Sequence, residues 1–114
     1  MRAIRCQVAL QSQAGGDALI GRQVYPLMVE AGLEDVRVSP RMVYVDSSRP
    51  DLVEGFTRRT FTAMIEGVRA SAIAAGMIEP PDFDAGVRDL HRTAEADGVF
   101  CYTFFKGGGK KKAL

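Results

Sequence analysis

The chain is poor in the residues that most often announce chemistry: it has one histidine, His91, and two cysteines, Cys6 and Cys101, among 114 residues. Neither cysteine belongs to a Cys-x-x-Cys pair or to a Cys/His cluster with metal-ligand spacing, and two thiols make no disulfide framework. Both read as small buried hydrophobes in a reducing compartment. His91 has no serine or cysteine beside it arranged as a nucleophile, so the sequence places it on a helix surface rather than in a proton relay. An excess of one charge is also missing: fifteen Lys and Arg stand against fourteen Asp and Glu, a net charge of +1. No global field recruits nucleic acid or an anionic membrane. No stretch approaches the ~18 apolar residues of a membrane span, and Arg2 and Arg5 precede no apolar run of signal-peptide length. The expectation is a cytoplasmic chain with neither a nucleic-acid nor a membrane partner.

Glycine is plentiful, at 12 residues, yet no Gly-x-Gly-x-Gly or comparable strand-turn-helix unit occurs, and with it goes any sequence sign of a nucleotide cradle. Gly107-Gly108-Gly109-Lys110 lacks the spacing of a phosphate-binding loop and precedes no helix. Residues 107–114 therefore read as a flexible basic tail.

What remains is an ordinary globular composition, 46% hydrophobic and 25% charged. The length allows one domain, residues 1–106, able to bury roughly two-thirds of its unfolded surface. Its densest β-branched and aromatic run is Val99 to Lys106. Phe100, Tyr102 and Phe104 share one parity, and Val99, Cys101 and Phe105 the other, so this strand should be covered on both faces. Its partner is the strand over 35–46, where Val36 and Val38 give way to Val43 and Val45 across Pro40. A proline cannot donate to a ladder, so a bulge on an edge strand would produce that change of phase. Two strands alone are marginal in water. Either helices bury this ribbon or its partner strands lie in a part of the protein outside this sequence.

Helices are expected near 21–31, 49–75 and 82–97, with Met1 to Gln13 readable as a short helix or an irregular strand. Val24, Leu27, Met28 and Ala31 recur at helical spacing before Gly32, and Pro26 is tolerable in a first turn. Ser48 is the candidate N-cap of the second helix, with Asp51 completing a capping box. Val53, Phe56, Thr60, Phe61, Met64, Ile65, Val68 and Ala72 form its stripe, a rod of roughly 40 Å at ~1.5 Å per residue. Phe56, Phe61 and Met64 are core residues or a cavity wall. Glu79-Pro80-Pro81 implies an extended turn, after which Asp82 or Asp84 caps a helix burying Phe83, Val87, Leu90 and Ala94. Capping explains these aspartates as well as a cation site would. The fold class is α/β: a two-stranded antiparallel ribbon packed with three to four helices.

Two stretches carry a family resemblance. Gly21-Arg22-Gln23-Val24-Tyr25-Pro26-Leu27, leading into Glu30-Ala31-Gly32-Leu33-Glu34-Asp35-Val36, and the closing Asp97-Gly98-Val99-Phe100-Cys101-Tyr102-Thr103-Phe104-Phe105-Lys106, resemble the C-terminal part of class I S-adenosylmethionine-dependent methyltransferases. The likeness is to the group similar to ubiquinone/menaquinone-biosynthesis methyltransferases. It implies that the ribbon is the distal edge of a Rossmann-like sheet and that residues 48–97 lie on the substrate side. It further implies that S-adenosylmethionine belongs to the parent fold, with no cofactor expected for this chain alone, since the glycine-rich signature is absent. The acceptor would be a small apolar or aromatic molecule, contacted by Arg22, Tyr25, Phe56, Arg59 and Tyr102, and no residue stands out as a catalytic base. The partner would be a missing N-terminal methyltransferase half or a second copy. The rival expectation is a non-catalytic module that dimerises or holds a partner through its long helix and open strand edge.

Overall fold

In the computed structural model, which describes residues 2–113, the chain is mixed α/β with a two-stranded antiparallel sheet. It forms two compact units where its length suggested a single domain over 1–106: residues 1–17 with 44–101, and residues 18–43 with 102–114.

The first unit holds the buried core. Helix α1, Arg2–Gln13, resolves the ambiguity at the N-terminus and buries Ala3 and Cys6. It packs on α5, Pro80–Arg92. A Cβ placed on Gly86 of α5 would lie 3.1 Å from the Ala3 Cβ, so these two small residues set the approach. Phe83, Ile65 and Ala72 are fully shielded, with Leu90 and Ile78 close behind. The apolar spacing of α5 is therefore used as its sequence implies. Its prolines are not: Pro80 and Pro81 occupy the first helical positions, where no intrahelical amide bond is lost. Neither Asp82 nor Asp84 caps the helix, since each is drawn to a guanidinium, Asp82 to Arg2 at 3.0 Å and Asp84 to Arg69 at 2.8 Å. Beyond Arg92 the chain turns, and a Cβ on Gly98 would run into the Thr93 carbonyl.

The 49–75 rod is two helices. Helix α3, residues 50–66, begins as α at Pro50–Leu52, widens to a π-helix over Val53–Thr62 and returns to α at Ala63–Glu66. It closes at Gly67, a weak helix former, and α4 follows at Arg69–Ala74. The capping box does not form. Arg49 holds the N-cap position, Asp51 pairs with Arg49, and Asp46 takes both the Ser48 amide at 2.9 Å and the Ser48 hydroxyl at 2.5 Å. A local carboxylate outcompetes the helix end for the serine. Cys101 is exposed rather than buried, whereas Cys6 is buried.

The second unit contains a 3-10 turn at Ile20–Gln23, α2 at Val24–Glu30, and most of strands β1, Glu34–Val45, and β2, Phe100–Lys110. Pro26 falls in the first turn of α2, and Gly32 ends it at φ 84°. β1 runs through Pro40, and its shielded positions change phase there, from Val36 and Val38 to Val43. β2 extends past Lys106, so Gly107 to Lys110 are strand and not tail. A Cβ on Gly107 would sit 2.6 Å from Met28 Sδ and 2.9 Å from Val24 Cγ1, so only a glycine lets α2 lie this close to the strand. Lys110 also reaches Asp35 at 3.3 Å.

The expected burial of β2 on both faces is absent: from Cys101 to Lys110 every residue is exposed, Phe104 by 45%. No described residue of the second unit is fully buried. Among the described residues no helix is long and apolar enough to cross a membrane.

Candidate functional site

The second unit carries a groove of about 410 Å³. The loop entering the 3-10 turn contributes Leu19 and Ile20, the turn itself Arg22, and β2 contributes Tyr102, Thr103, Phe104 and Phe105. Local sequence explains the placement. Gly21 has no side chain, and a Cβ there would overlap the Phe105 ring, so the turn settles directly on the aromatic strand. Among the described residues Arg22 is the only charged one lining the groove. Its guanidinium is exposed and makes no ion pair among the described residues. An apolar trough with one unneutralised cation can hold a small molecule that has an apolar body and a negative end.

The first unit has a cleft of about 300 Å³ lined by Pro50, Val53, Glu54, Arg58 and Ala94 among others. Its charged residues, Glu54, Arg58 and Glu95, already have partners within or beside the cleft. Glu54 accepts from Arg59 at 3.1 Å and lies 3.7 Å from Arg58, which also donates to the Ala94 carbonyl at 3.3 Å. It offers a ligand less than the groove does.

Of the five residues proposed from sequence to contact an acceptor, Arg22 and Tyr102 meet in the groove. Tyr25 lies on α2, 55% exposed and outside the groove lining. Phe56 and Arg59 belong to the first unit. The Phe56 ring packs 5.9 Å from that of Phe100, tilted 55°, with Phe61 at 4.9 Å on the same partner, which makes both core-edge residues. Met64 is exposed instead of buried. Sequence reasoning missed Leu19 and Ile20, whose only signal is an apolar pair before the Gly21-Arg22 turn. It assigned Phe104 and Phe105 to buried strand faces.

Elsewhere several titratable groups are paired. His91 sits on the surface of α5 with Nε2 2.7 Å from Glu66 Oε1. The carboxyl of Asp84 is held below its ordinary range by hydrogen bonds from Arg69, and that of Asp97 by Arg92 at 2.6 Å. The Ser48 hydroxyl lowers Asp46 likewise, and Asp46 in turn raises Tyr44. Among the described residues there is no group of three or more His, Cys, Asp or Glu placed to hold a metal.

The residues present do not fit S-adenosylmethionine. A nucleoside cofactor needs backbone it can approach closely. Here the close-packed glycines Gly21, Gly98 and Gly107 are already occupied by Phe105, the Thr93 carbonyl and Met28. Of the open ones, Gly15, Gly32 and Gly76 have φ of 90°, 84° and 70° and follow helix ends, Gly55 lies inside α3, and Gly108 lies in β2, so none sits in a strand-turn-helix cradle. No protein-family model and no curated protein matches the chain.

Proposed function

We propose that this chain is the acceptor-side, C-terminal segment of an S-adenosylmethionine-dependent methyltransferase that modifies a small molecule, inactive until joined by the part of the enzyme that holds the cofactor. The observation that carries the reading is the second unit: the part of the ribbon it contains is rich in β-branched and aromatic residues, and none of its described residues is fully buried. A strand composed for the middle of a sheet but paired along one edge supports a Rossmann-like sheet edge whose further strands come from elsewhere. The resemblance of 21–36 and 97–106 to that family supports the same position. In this reading the cofactor half supplies the methyl group, and the groove between the 3-10 turn and β2 holds the acceptor and keeps water from it. The poor fit to the cofactor agrees with this division of labour.

The test is calorimetry followed by complementation. The chain by itself should bind S-adenosylmethionine no more tightly than about millimolar; a micromolar constant, about −8 kcal/mol, would require a cofactor site in this chain and sink the proposal. Adding a polypeptide that supplies the glycine-rich strands of the family should produce methyl transfer to an apolar acceptor. Stable association without transfer to any acceptor would favour a non-catalytic binding module.

A further inference from the structure

We infer that the groove between the 3-10 turn and β2 binds a small apolar anion, an aromatic or aliphatic carboxylate or its phenolate equivalent, with Arg22 as the group that selects the charge. Two observations meet in it. The lining is apolar or aromatic on both sides, Leu19 and Ile20 facing Tyr102, Phe104 and Phe105, and about 410 Å³ suits one ring with a short chain. Among the described residues the one charge in that lining is Arg22, and none of their carboxylates pairs with it.

Charge complementarity decides the ligand class. A neutral apolar molecule would leave the guanidinium facing an apolar surface without a partner, and a cation would be repelled. A carboxylate at the Arg22 end gains charge-assisted, bidentate hydrogen bonds while its body covers exposed aromatic surface. Phe105 is held in place by its contact with Gly21, so the wall opposite the arginine is set before any ligand arrives. The inference deepens the acceptor-side reading and rests on it for the use made of the ligand. Binding itself needs neither the cofactor nor the second half of an enzyme.

The full chain, labelled with nitrogen-15, is titrated with 4-phenylbutyrate and separately with its neutral amide, following the amides of Gly21, Arg22 and Thr103. The anion should shift these resonances saturably and bind about tenfold more tightly than the amide. Arg22→Gln, at an exposed position that leaves the fold intact by circular dichroism, should bring the anion down to the affinity of the amide. Tyr102→Ala should weaken both probes alike. Equal binding of anion and amide, or an Arg22→Gln chain that still prefers the anion, overturns the role of Arg22. No saturable shift with either probe overturns the groove as a ligand site, as do shifts that follow protein concentration instead, which would assign it to a second copy of the chain. Saturable anion binding with no methyl transfer after complementation would leave this inference standing and remove the methyltransferase reading alone.

Discussion

Thr57 and Thr62 are the residues whose environment contradicts their chemistry most directly. Both are buried, at 0% and 1% exposure, and neither hydroxyl has a hydrogen-bond partner among the described residues. Their neighbour Thr60 does find one, the Gly55 carbonyl five residues back at 2.7 Å, the spacing of the π-helix itself. An unsatisfied buried hydroxyl costs about 1–3 kcal/mol. Thr57→Val keeps the shape and removes the cost, so it should raise the melting temperature by roughly 4 °C or more. Thr57→Ser, which keeps the hydroxyl and opens a methyl-sized gap, should lower it. A Val variant that melts lower than the parent would mean that the hydroxyl has a partner, such as an internal water. Nothing in the apolar pattern pointed to these positions. Spacing for an α-helix selects Thr60 and Met64, both exposed, because the i→i+5 ladder delays the return of the buried face. The α5 stripe was legible because an ordinary helix repeats Phe83, Val87 and Leu90 faithfully.

At the scale of elements, local partners decided what the sequence left open. The start of α3 looked like a capping box, but Asp46 captured Ser48 first. Pro80 and Pro81 looked like a break and became a helix start. The apolar run of β2 was readable as strand, while its extension through Gly107 to Lys110 was not, because three glycines carry no strand preference and the reason for the first of them, Gly107, is the passage of α2. Gly107→Ala should therefore destabilise the second unit by about 1–3 kcal/mol, as a Cβ must displace Met28 and the stiffer Val24. Gly108→Ala meets nothing within 4 Å and should instead stabilise the strand slightly, by about 0.4–1 kcal/mol. Equal effects of the two, measured by denaturant titration, would mean that α2 does not rest on the strand. Ion pairs tie other elements together, Arg69 of α4 to Asp84 of α5 above all. A carboxylate whose folded pKa lies below its unfolded one adds stability above the unfolded value and loses it as pH falls through the folded one. With Asp46, Asp84 and Asp97 all lowered, the melting temperature should hold from neutrality to near the ordinary value of 3.8 and fall below it. Arg69→Gln should flatten part of that acid slope; an unchanged slope would show the pair to be idle.

For the whole molecule, the division of burial is the property that bears on function. The first unit contains every fully shielded residue among those described, while the second places Tyr25, Leu27, Val29, Met42 and Phe104 at exposures of 44–69%. The sequence carried the warning, since a ribbon apolar on both faces had no visible cover, but it could not say which faces stay bare. Hydrophobic burial is the main favourable term in folding, and local opening is easiest where few apolar contacts must be broken. Amides of α5 around Phe83 and Leu90 should therefore exchange with solvent only through global unfolding. Those of α2 and of β2 beyond Tyr102 should exchange through smaller openings, roughly a hundredfold or more faster, a difference of about 3 kcal/mol at about 1.4 kcal/mol per tenfold. Hydrogen exchange read by mass spectrometry on the full chain checks this. A saturating apolar carboxylate should slow exchange at 18–24 and 102–105 by mass action, and should slow α5 by no more than the same factor through the global equilibrium. A cofactor-holding half that adds strands to the ribbon should protect β2 along its whole length. Uniform exchange across both units without either addition would mean that the second unit is as stable as the first, and the bare ribbon would then be no argument for missing strands.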